Sequence, residues 1–347
     1  MIFSDLLLNW YDINKRDLPW RHTKNAYFIW LAEIILQQTK VQQGLPYYLK
    51  FLKAFPTVKH LALAKQEKVL KLWQGLGYYS RARNLHFSAK YILENYNGIF
   101  PNQYDKILKL KGVGNYTAAA IASFAFGLPY AVVDGNVVRV LSRVFGVDAS
   151  FDTAYGKKIF QQLSQDLLDK KNPANYNQAI MEFGALHCSY RLPKCNTCIF
   201  SKICVAYTTN TISKFPLKVK KINIKKRYLH YLVITKDDNM MLGKISKGVW
   251  QGLYEFPFIE FLIEYPLESL IYSKEWKGIF KNSDYEVKSI SKQYEHKLSH
   301  QYIYSYFWTI NVDAFKLKKY SFVKKSEIKN YPISRLIDKF LEENNII

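Results

Sequence analysis

Cysteine is nearly absent from this chain. Its 347 residues contain four, and all four fall within residues 188–204, spaced C-x6-C-x2-C-x5-C. Disulfide scaffolds belong to small exported domains, and this long chain shows no export signal, so a disulfide-stapled fold is excluded as its organising feature. The core must instead come from apolar burial. The 49% of apolar residues suffice for the two domains that this length predicts.

Acidic residues are also scarce. Fifty Lys and Arg face 28 Asp and Glu, which leaves a formal charge of +22 and a pI near 9.6. Such an excess is typical of proteins with a polyanionic partner, nucleic acid above all, although solvated surface lysines give the same balance. Composition alone does not distinguish nucleic-acid binding from solvated surface lysines, so the distinction depends on the motifs.

Long apolar runs are missing as well. None approaches the roughly 20 residues that a membrane span needs. The first sixteen residues, MIFSDLLLNWYDINKR, carry Asp5, Trp10 and Asp12 among apolar positions and lack a small-residue cleavage site. This pattern predicts an amphipathic helix and not a signal peptide. We therefore expect a cytoplasmic protein without a membrane partner.

The apolar pattern changes along the chain. Residues 1–207 repeat apolar positions at helical spacing, as in LAEIILQQT and NVVRVLSRVF, and predict an all-α domain. Residues 208–227 are polar and then basic, and predict a linker. Residues 228–347 alternate strand-like segments such as YLHYLVIT and YIYSYFWTINV with turns, and end in the helical SRLIDKFLEENN, so they predict an α+β domain.

The four cysteines predict one closed site. Four thiolates on a compact segment are the ligand set of a tetrahedral zinc ion or of a four-iron cluster. Structural zinc sites usually pair their ligands in two short knuckles, whereas only Cys195 and Cys198 are that close here. An iron–sulfur cluster is therefore favoured over zinc, over a pair of disulfides and over four unrelated thiols.

Two carboxylates have distinctive surroundings. Glu33 is the ionisable side chain of the apolar segment IWLAEIILQQT, where burial would raise its pKa, unless it reaches solvent at the rim of the helix. Asp134 follows the apolar AVV at the start of a predicted helix, where unpaired amides should keep its pKa low, and where a plain N-cap explains it equally well. Together they fit the acid and the electrostatic stabiliser of glycosidic-bond cleavage.

A phosphate-binding turn is predicted between these carboxylates. LKGVGNYTAAAIASF places Gly112 and Gly114 between two helical patterns, with Asn115 and Thr117 as cap residues of the second helix. Glycines let the backbone approach a phosphate closely, and free amides at the start of a helix donate to it. An ordinary interhelical turn is the alternative, because a lone G-x-G is a weak signal.

These segments resemble the helix–hairpin–helix, iron–sulfur family of DNA glycosylases, and within it the members specific for adenine. The resemblance rests on LPWR, AEIILQQT, GLGYYSRARNL, GVGNYTAAA, VVDGNVVRVLSR, NQAIMEFGALHC and the cysteine segment, which occur in the family's order. It implies a monomeric base excision repair enzyme, associated with the nucleoid, that removes adenine paired with 8-oxoguanine or guanine in duplex DNA. It implies a [4Fe-4S] cluster bound by Cys188, Cys195, Cys198 and Cys204.

The resemblance also implies residue roles. Glu33 is the catalytic acid, Asp134 stabilises the cationic sugar, and Asn136 orients Asp134. Tyr116 replaces the lysine nucleophile of the related bifunctional endonuclease III group, which favours a monofunctional enzyme over a glycosylase/lyase. The implied adenine pocket consists of Trp20, Arg21, Leu36 and Glu182. The implied DNA contacts are Gln38, Tyr78, Gly112, Gly114, Ser299 and His300.

The same resemblance extends to the C-terminal domain, through GVWQGLYEFP, and implies a Nudix-like fold that recognises 8-oxoguanine. The metal motif of Nudix hydrolases is absent from the sequence, so no pyrophosphatase activity is expected. Two positions depart from the family. Lys111 stands where a proline commonly precedes GVG, and Leu298 stands where an aromatic residue precedes Ser-His. A DNA-binding module without chemistry remains the alternative of a different class.

Overall fold

The computed structural model describes residues 2–217, 223–281 and 283–346. The chain forms two compact units. The first consists of Met1–Leu63 and Asn84–Lys220, and the second of Ala64–Arg83 and Lys221–Ile347. The segment 64–83, which sequence analysis assigned to the helical domain, is thus part of the second unit. The predicted linker is described up to residue 217 and from residue 223, and residues 225–227 already belong to a strand.

The described part of the first unit is helical throughout. Besides short 3₁₀ turns it contains α1 (Ile2–Asn14), α2 (Ala26–Leu36), α3 (Val41–Ala54), α4 (Val58–Leu63), most of α6 (Ser80–Tyr96), α7 (Tyr104–Leu108), α8 (Asn115–Phe126), α9 (Gly135–Phe145), α10 (Ala154–Leu167), α11 (Pro173–Leu186) and α12 (Val205–Thr208). The all-α prediction for this region is confirmed. None of the helices in the described ranges is long and apolar enough to cross a bilayer.

Local sequence explains where the central helices begin and end. Asn25 caps α2 by accepting from the amides of Tyr27 and Phe28. Asp134 caps α9 in the same way. Gly127 and Gly146 end α8 and α9 in the left-handed conformation, with φ of 65° and 62°, which glycine adopts without strain.

Four helices enclose the core of the first unit. α1, α8, α9 and α11 contribute buried aromatic and aliphatic side chains. Phe183 of α11 meets Phe200 of the cysteine segment edge to face, with ring centroids 5.2 Å apart. α2 packs against α8, and α9 against α11. The polar ends of α2, α8 and α9 and the side of α11 are thereby brought to one cavity.

The second unit is built on an eight-stranded mixed sheet. Its strands are β1 (Lys225–Lys236), β2 (Asn239–Lys244), β3 (Tyr254–Glu255), β4 (Phe258–Phe261), β5 (Tyr285–Ile290), β6 (Tyr294–Lys297), β7 (Gln301–Val312) and β8 (Tyr320–Lys324). The order is β3-β2-β1-β7-β5; β4 also pairs with β1, β6 with β7 and β8 with β2. β1 and β7 run parallel, with Leu232 opposite Trp308, and the other pairs are antiparallel.

Helices complete the second unit. They are α5 (Gln66–Trp73), α13 (Leu267–Leu270), α14 (Lys274–Ile279) and α15 (Arg335–Glu343). Leu70 of α5 lies close to Gly252, where an added Cβ would come within 2.9 Å of its Cδ1. Gln74 donates to Asp338 of α15 at 2.9 Å. These contacts explain why residues 64–83 belong to this unit. The α+β prediction for the C-terminal part is confirmed.

Candidate active site

A cavity of about 940 Å³ in the helical unit collects most of the predicted site residues. Four helices contribute a polar side chain to its lining: Glu33 from α2, Tyr116 from α8, Asp134 from the start of α9 and Glu182 from α11. Helix packing thus brings together side chains that are up to 149 positions apart in the sequence, from 33 to 182. The arrangement puts three carboxylates and a phenol around one space large enough for a nucleotide base.

Glu33 is buried, with 6% of its surface exposed. The rim alternative of the sequence analysis therefore does not hold. Burial raises its pKa to about 7, although the hydrogen bond from Tyr116 opposes the shift and the charge of Asp134 adds to it. The Tyr116 hydroxyl donates to Glu33 Oε2 at 2.8 Å. Near neutral pH this carboxyl is thus able both to hold and to give up a proton.

Asp134 is held by three hydrogen bonds. Its Oδ1 accepts from the backbone amides of Asn136 at 2.9 Å and Val137 at 2.8 Å, and its Oδ2 accepts from the Asn136 side-chain amide at 2.8 Å. The prediction of a low pKa is wrong, because burial raises the pKa of Asp134 further than these hydrogen bonds and the charge of Arg139 lower it. The charge of Asp134 in turn contributes to the raised pKa of Glu33.

Glu182 is paired with two arginines. Arg16 binds both carboxylate oxygens, with Nε 2.8 Å from Oε1 and Nη2 2.7 Å from Oε2, and Arg21 Nη2 lies 2.8 Å from Oε2. Burial alone would raise the pKa of Glu182, but these hydrogen bonds bring it down to about 2. Arg16 was missed by sequence analysis. Trp20 and Leu36 line the same cavity, and Trp20 meets the ring of Tyr48 edge to face at 5.2 Å.

The predicted hairpin lies at the start of α8. Gly112 has a φ of +84°, and an added Cβ would come within 2.8 Å of Asn84 Cβ, so glycine is required there on two counts. Gly114 is the N-cap of α8, and it replaces the predicted Asn115 and Thr117 in that position. Thr117 is buried and accepts from the Gln37 side-chain amide at 3.2 Å.

The end of α2 also differs from expectation. The predicted helical segment IWLAEIILQQT runs past Leu36, but Gln37 is the C-cap of α2 and Gln38 follows with a φ of 56°. Both residues line the cavity. The turn after α2 therefore contributes two polar side chains to the cavity that Glu33 lines.

The four cysteines line one small cavity, separate from the first. All four are free thiols, so the disulfide alternative is not realised. Within the described ranges no three His, Cys, Asp or Glu side chains converge as the ligands of a metal ion. The Phe200 amide donates to Cys198 Sγ at 3.4 Å and Arg143 Nη1 to Cys188 Sγ at 3.5 Å. Burial nevertheless raises the pKa of Cys198 to about 11.

Two arginines of α9 bind the cysteine segment, and Arg139 also bonds to Asn136 beside Asp134. Sequence analysis did not single them out. Arg139 donates to Asn136 Oδ1 at 2.8 Å and to the Cys188 carbonyl at 2.7 Å. Arg143 donates to the carbonyls of Ser189 and Tyr190. Their spacing of four residues in the mostly apolar NVVRVLSRVF is the signal that was available, because it places both side chains on one face of the helix.

The remaining predicted residues belong to the second unit. Leu298, Ser299 and His300 form the turn between β6 and β7, and the last two are exposed. Tyr78 is 46% exposed, has a φ of 48° and forms a hydrogen bond with the Ser299 hydroxyl. A single surface of this unit thus presents a tyrosine beside the predicted Ser-His turn.

Comparisons with known proteins agree with this fold and site. Residues 31–167 match the model of the HhH-GPD superfamily base excision DNA repair protein. The structure of a thermostable thymine-DNA glycosylase superposes with a TM-score of 0.56 and 32% identity, covering 60% of this chain and 96% of that chain. The helical unit and its buried carboxyl thus define the class of helix–hairpin–helix DNA glycosylases.

Curated relatives refine the class. The adenine DNA glycosylase of Buchnera aphidicola subsp. Acyrthosiphon pisum is 36% identical, over 86% of this chain and 85% of its own length. That of Buchnera aphidicola subsp. Schizaphis graminum is also 36% identical, over 91% and 89%. The chain therefore belongs to the adenine DNA glycosylase family, and it is a base excision repair enzyme that acts on DNA.

Proposed function

We propose that this enzyme removes adenine paired with 8-oxoguanine or guanine, by acid-assisted hydrolysis of the N-glycosidic bond and without cleaving the strand. The observation that carries the chemistry is Glu33, buried at the cavity wall with the Tyr116 hydroxyl 2.8 Å from its Oε2 and a pKa raised to about 7. The specificity for the opposing base rests on the family resemblance and on the second unit.

The first step is protonation of the leaving group. A deoxyadenosine must leave the base stack before its anomeric carbon is accessible. With the base in the cavity, Glu33 donates its proton to the imidazole ring of adenine, so that adenine departs as a neutral molecule. A carboxyl with an ordinary pKa would hold almost no proton near neutral pH, and burial is what supplies this one.

The second step is stabilisation of the sugar cation. As the bond to adenine breaks, positive charge develops on the deoxyribose, and the anionic Asp134 stabilises it. Asn136 and the α9 amides fix the orientation of that carboxylate. Water then attacks the sugar and Glu33, which lost its proton in the first step, accepts one from the water. The bond between sugar and base is thereby exchanged for one between sugar and hydroxyl.

Base recognition is assigned to the far side of the cavity. Trp20 and Leu36 supply apolar surface, while Glu182, held anionic by Arg16 and Arg21, offers a hydrogen-bond acceptor to the exocyclic amine of adenine. Arg21 completes this pocket. Gln38 lies on the rim of the cavity and is proposed to contact the opened duplex.

Tyr116 supports a monofunctional reaction. A bifunctional enzyme needs an amine that forms a Schiff base with the sugar, and a phenol cannot form one. The alternative is an endonuclease III-like glycosylase/lyase. One observation favours it: Lys40, which carries an amine, lines the cavity. Borohydride reduction decides between them, because it traps a Schiff base as a protein–DNA adduct and leaves a monofunctional enzyme untrapped.

The cysteines are proposed to bind a [4Fe-4S] cluster. The four thiols line one cavity, which fits a shared group, yet they do not converge as the ligands of a single ion. In a four-iron cluster each thiolate binds a different iron, so the sulfurs need not converge. When bound, the group would fix the fold of residues 188–204. Lys194 and Lys202 of that segment are then available to DNA phosphates.

The second unit is proposed to read the base opposite adenine. Ser299 and His300 present a hydroxyl and an imidazole on an exposed turn, suited to hydrogen bonds with an oxidised guanine, and Tyr78 supplies an aromatic ring for the base stack. Leu298 lacks the ring of the family's aromatic, so discrimination against normal guanine is expected to be weaker than in relatives. The mixed sheet and its helices support the Nudix-like resemblance at the level of an α+β fold.

Duplex DNA accounts for the charge of +22, and we infer a monomer that acts on the nucleoid in the cytoplasm. Base release tests the whole proposal. Duplexes with adenine opposite 8-oxoguanine, guanine or thymine are incubated with the enzyme and treated with alkali, which cleaves at abasic sites. We expect cleavage for the first two and little for the third. Equal inactivity on all three would refute the assignment.

A further inference from the structure

A second cavity of the helical unit has no part in the chemistry proposed above. It measures about 790 Å³, and α10 contributes most of its lining. Two of its wall residues, Tyr116 and Val133, also line the catalytic cavity. Tyr116 and Val133 therefore lie between the proposed pocket for the extruded base and a second space.

The lining of this second cavity has one sign of charge. Lys157 and Lys158 contribute ammonium groups, and among the described residues that line it there is no carboxylate. Gln161 and Gln165 also lie there, but they are engaged: Gln161 donates to the Ala131 carbonyl at 3.2 Å, and Gln165 donates to the Pro129 carbonyl at 2.9 Å. The cationic lysines are thus the groups suited to a ligand, and the ligand they suit is an anion.

The backbone that carries the two lysines is held in place, although their side chains are exposed. Gly156 precedes them on α10 and is buried, and a Cβ built there would lie 1.9 Å from the Ser150 carbonyl oxygen. The first turn of α10 is therefore pressed against the backbone of residues 150–151. Thr153 caps that turn by accepting from the Gly156 amide at 3.0 Å. The cavity wall that carries the lysines is consequently part of the rigid fold.

We propose that Lys157 and Lys158 form a phosphate-binding subsite for the strand that contains the target adenine. The inference rests on the proposed function. An extruded nucleotide stays bonded to its neighbours through two phosphates, so the strand must leave the catalytic cavity along the protein surface. The neighbouring cavity, which shares the Tyr116 wall, offers that strand two cations and no carboxylate among its described lining residues; Asp166, next to the lining, accepts from Gln162 at 2.8 Å.

The test compares two lysine pairs. Lys157→Gln with Lys158→Gln is set against a control, Lys170→Gln with Lys171→Gln, which removes the same charge from an exposed pair in the same unit. The probe is a duplex with 2′-fluoro-2′-deoxyadenosine opposite 8-oxoguanine, because the electron-withdrawing fluorine slows bond cleavage. We expect the first pair to weaken binding by about ten-fold or more and to reduce the salt slope by roughly one to two, at about 0.9 per phosphate. The control should change both far less.

A second measurement locates the contact. Uncharged methylphosphonate linkages replace, one at a time, the phosphates flanking the target adenine. Methylphosphonate at one or two of these positions should lower the affinity of wild type for the duplex. At those positions it should not change the affinity of the Lys157/Lys158 variant, whereas at the others it should lower the affinity of both proteins. Equal affinity of the two lysine-pair variants, or an unchanged methylphosphonate pattern, would overturn the subsite. Base release by wild type from the ordinary adenine duplex is scored alongside, so failure of the subsite is distinguishable from failure of the proposed function.

Discussion

Glu33 and Asp134 lie in two differently built regions around the same cavity. Glu33 projects from the middle of an apolar helix, where the Tyr116 hydroxyl donates to it and where burial dominates its pKa. Asp134 caps a helix, with three hydrogen bonds and the charge of Arg139 opposing the effect of burial. The difference teaches that hydrogen-bond donors around a buried carboxyl oppose the rise in pKa that burial causes.

Glu182 extends the comparison. It too faces the cavity, but two arginines bind it and bring its pKa down to about 2. Around one space the fold therefore places a carboxyl with a pKa raised to about 7, a second whose three hydrogen bonds oppose the effect of burial on its pKa, and a third that stays charged at every physiological pH. The first fits a general acid, and the other two fit roles that require negative charge.

The largest effect is expected from Glu33→Gln. The amide keeps the shape of the side chain and removes the transferable proton, so base release in single turnover should fall by about 10³-fold or more, near the upper range for loss of a general acid. Binding to the 2′-fluoro duplex should stay within a few-fold of wild type. Retained base release would show that Glu33 is not the general acid, and that it does not differ from Asp134 in the way proposed here.

The next effect is expected from Asp134→Asn. Asparagine is as good an N-cap as aspartate, so α9 should remain folded while the negative charge is lost. We expect a decrease of about 10² to 10³-fold in the single-turnover rate, the scale on which lost transition-state electrostatics are measured. Circular dichroism supplies the folding control. A rate close to that of wild type would show that Asp134 is an N-cap and nothing more.

A smaller effect concerns stability. The pKa of Glu33 rises from 4.5 to about 7 on folding, so the folded state binds the proton more tightly and loses stability as pH rises through that interval. The shift corresponds to a cost of about 3 kcal/mol above pH 7. Glu33→Gln has no such ionisation. The difference in the free energy of unfolding, variant minus wild type, should therefore increase by about 3 kcal/mol between pH 4.5 and pH 8, as urea unfolding at both pH values would show. A pH-independent difference would mean that Glu33 is not desolvated.

The smallest effect is expected from Tyr116→Phe. The hydroxyl donates to the charged form of Glu33 and so opposes the rise of its pKa. Its removal should move the alkaline decline of kcat/KM to higher pH, with a loss of less than about ten-fold at the optimum because the proton donor itself is kept. A decline that stays in place would show that the contact does not act on Glu33.

Much of this arrangement was accessible from sequence because the signals are local. The apolar surroundings of Glu33, the cap position of Asp134 and the glycine at position 112 all follow from neighbouring residues. What failed depends on tertiary packing. The raised pKa of Asp134 comes from helices that are distant in sequence, the Arg16–Glu182 pair joins residues 166 positions apart, and residues 64–83 pack with strands more than 150 positions later. No periodicity in a single segment contains that information.

The central claim is that Glu33 carries the proton that adenine takes. The most direct test is the pH dependence of kcat/KM for wild type on a duplex with adenine opposite 8-oxoguanine, since this quantity follows ionisation in the free enzyme. The account predicts a decline above about pH 7, governed by one ionisation and absent from the residual activity of Glu33→Gln. A profile that stays flat through that region, or a decline that persists in the variant, would contradict it.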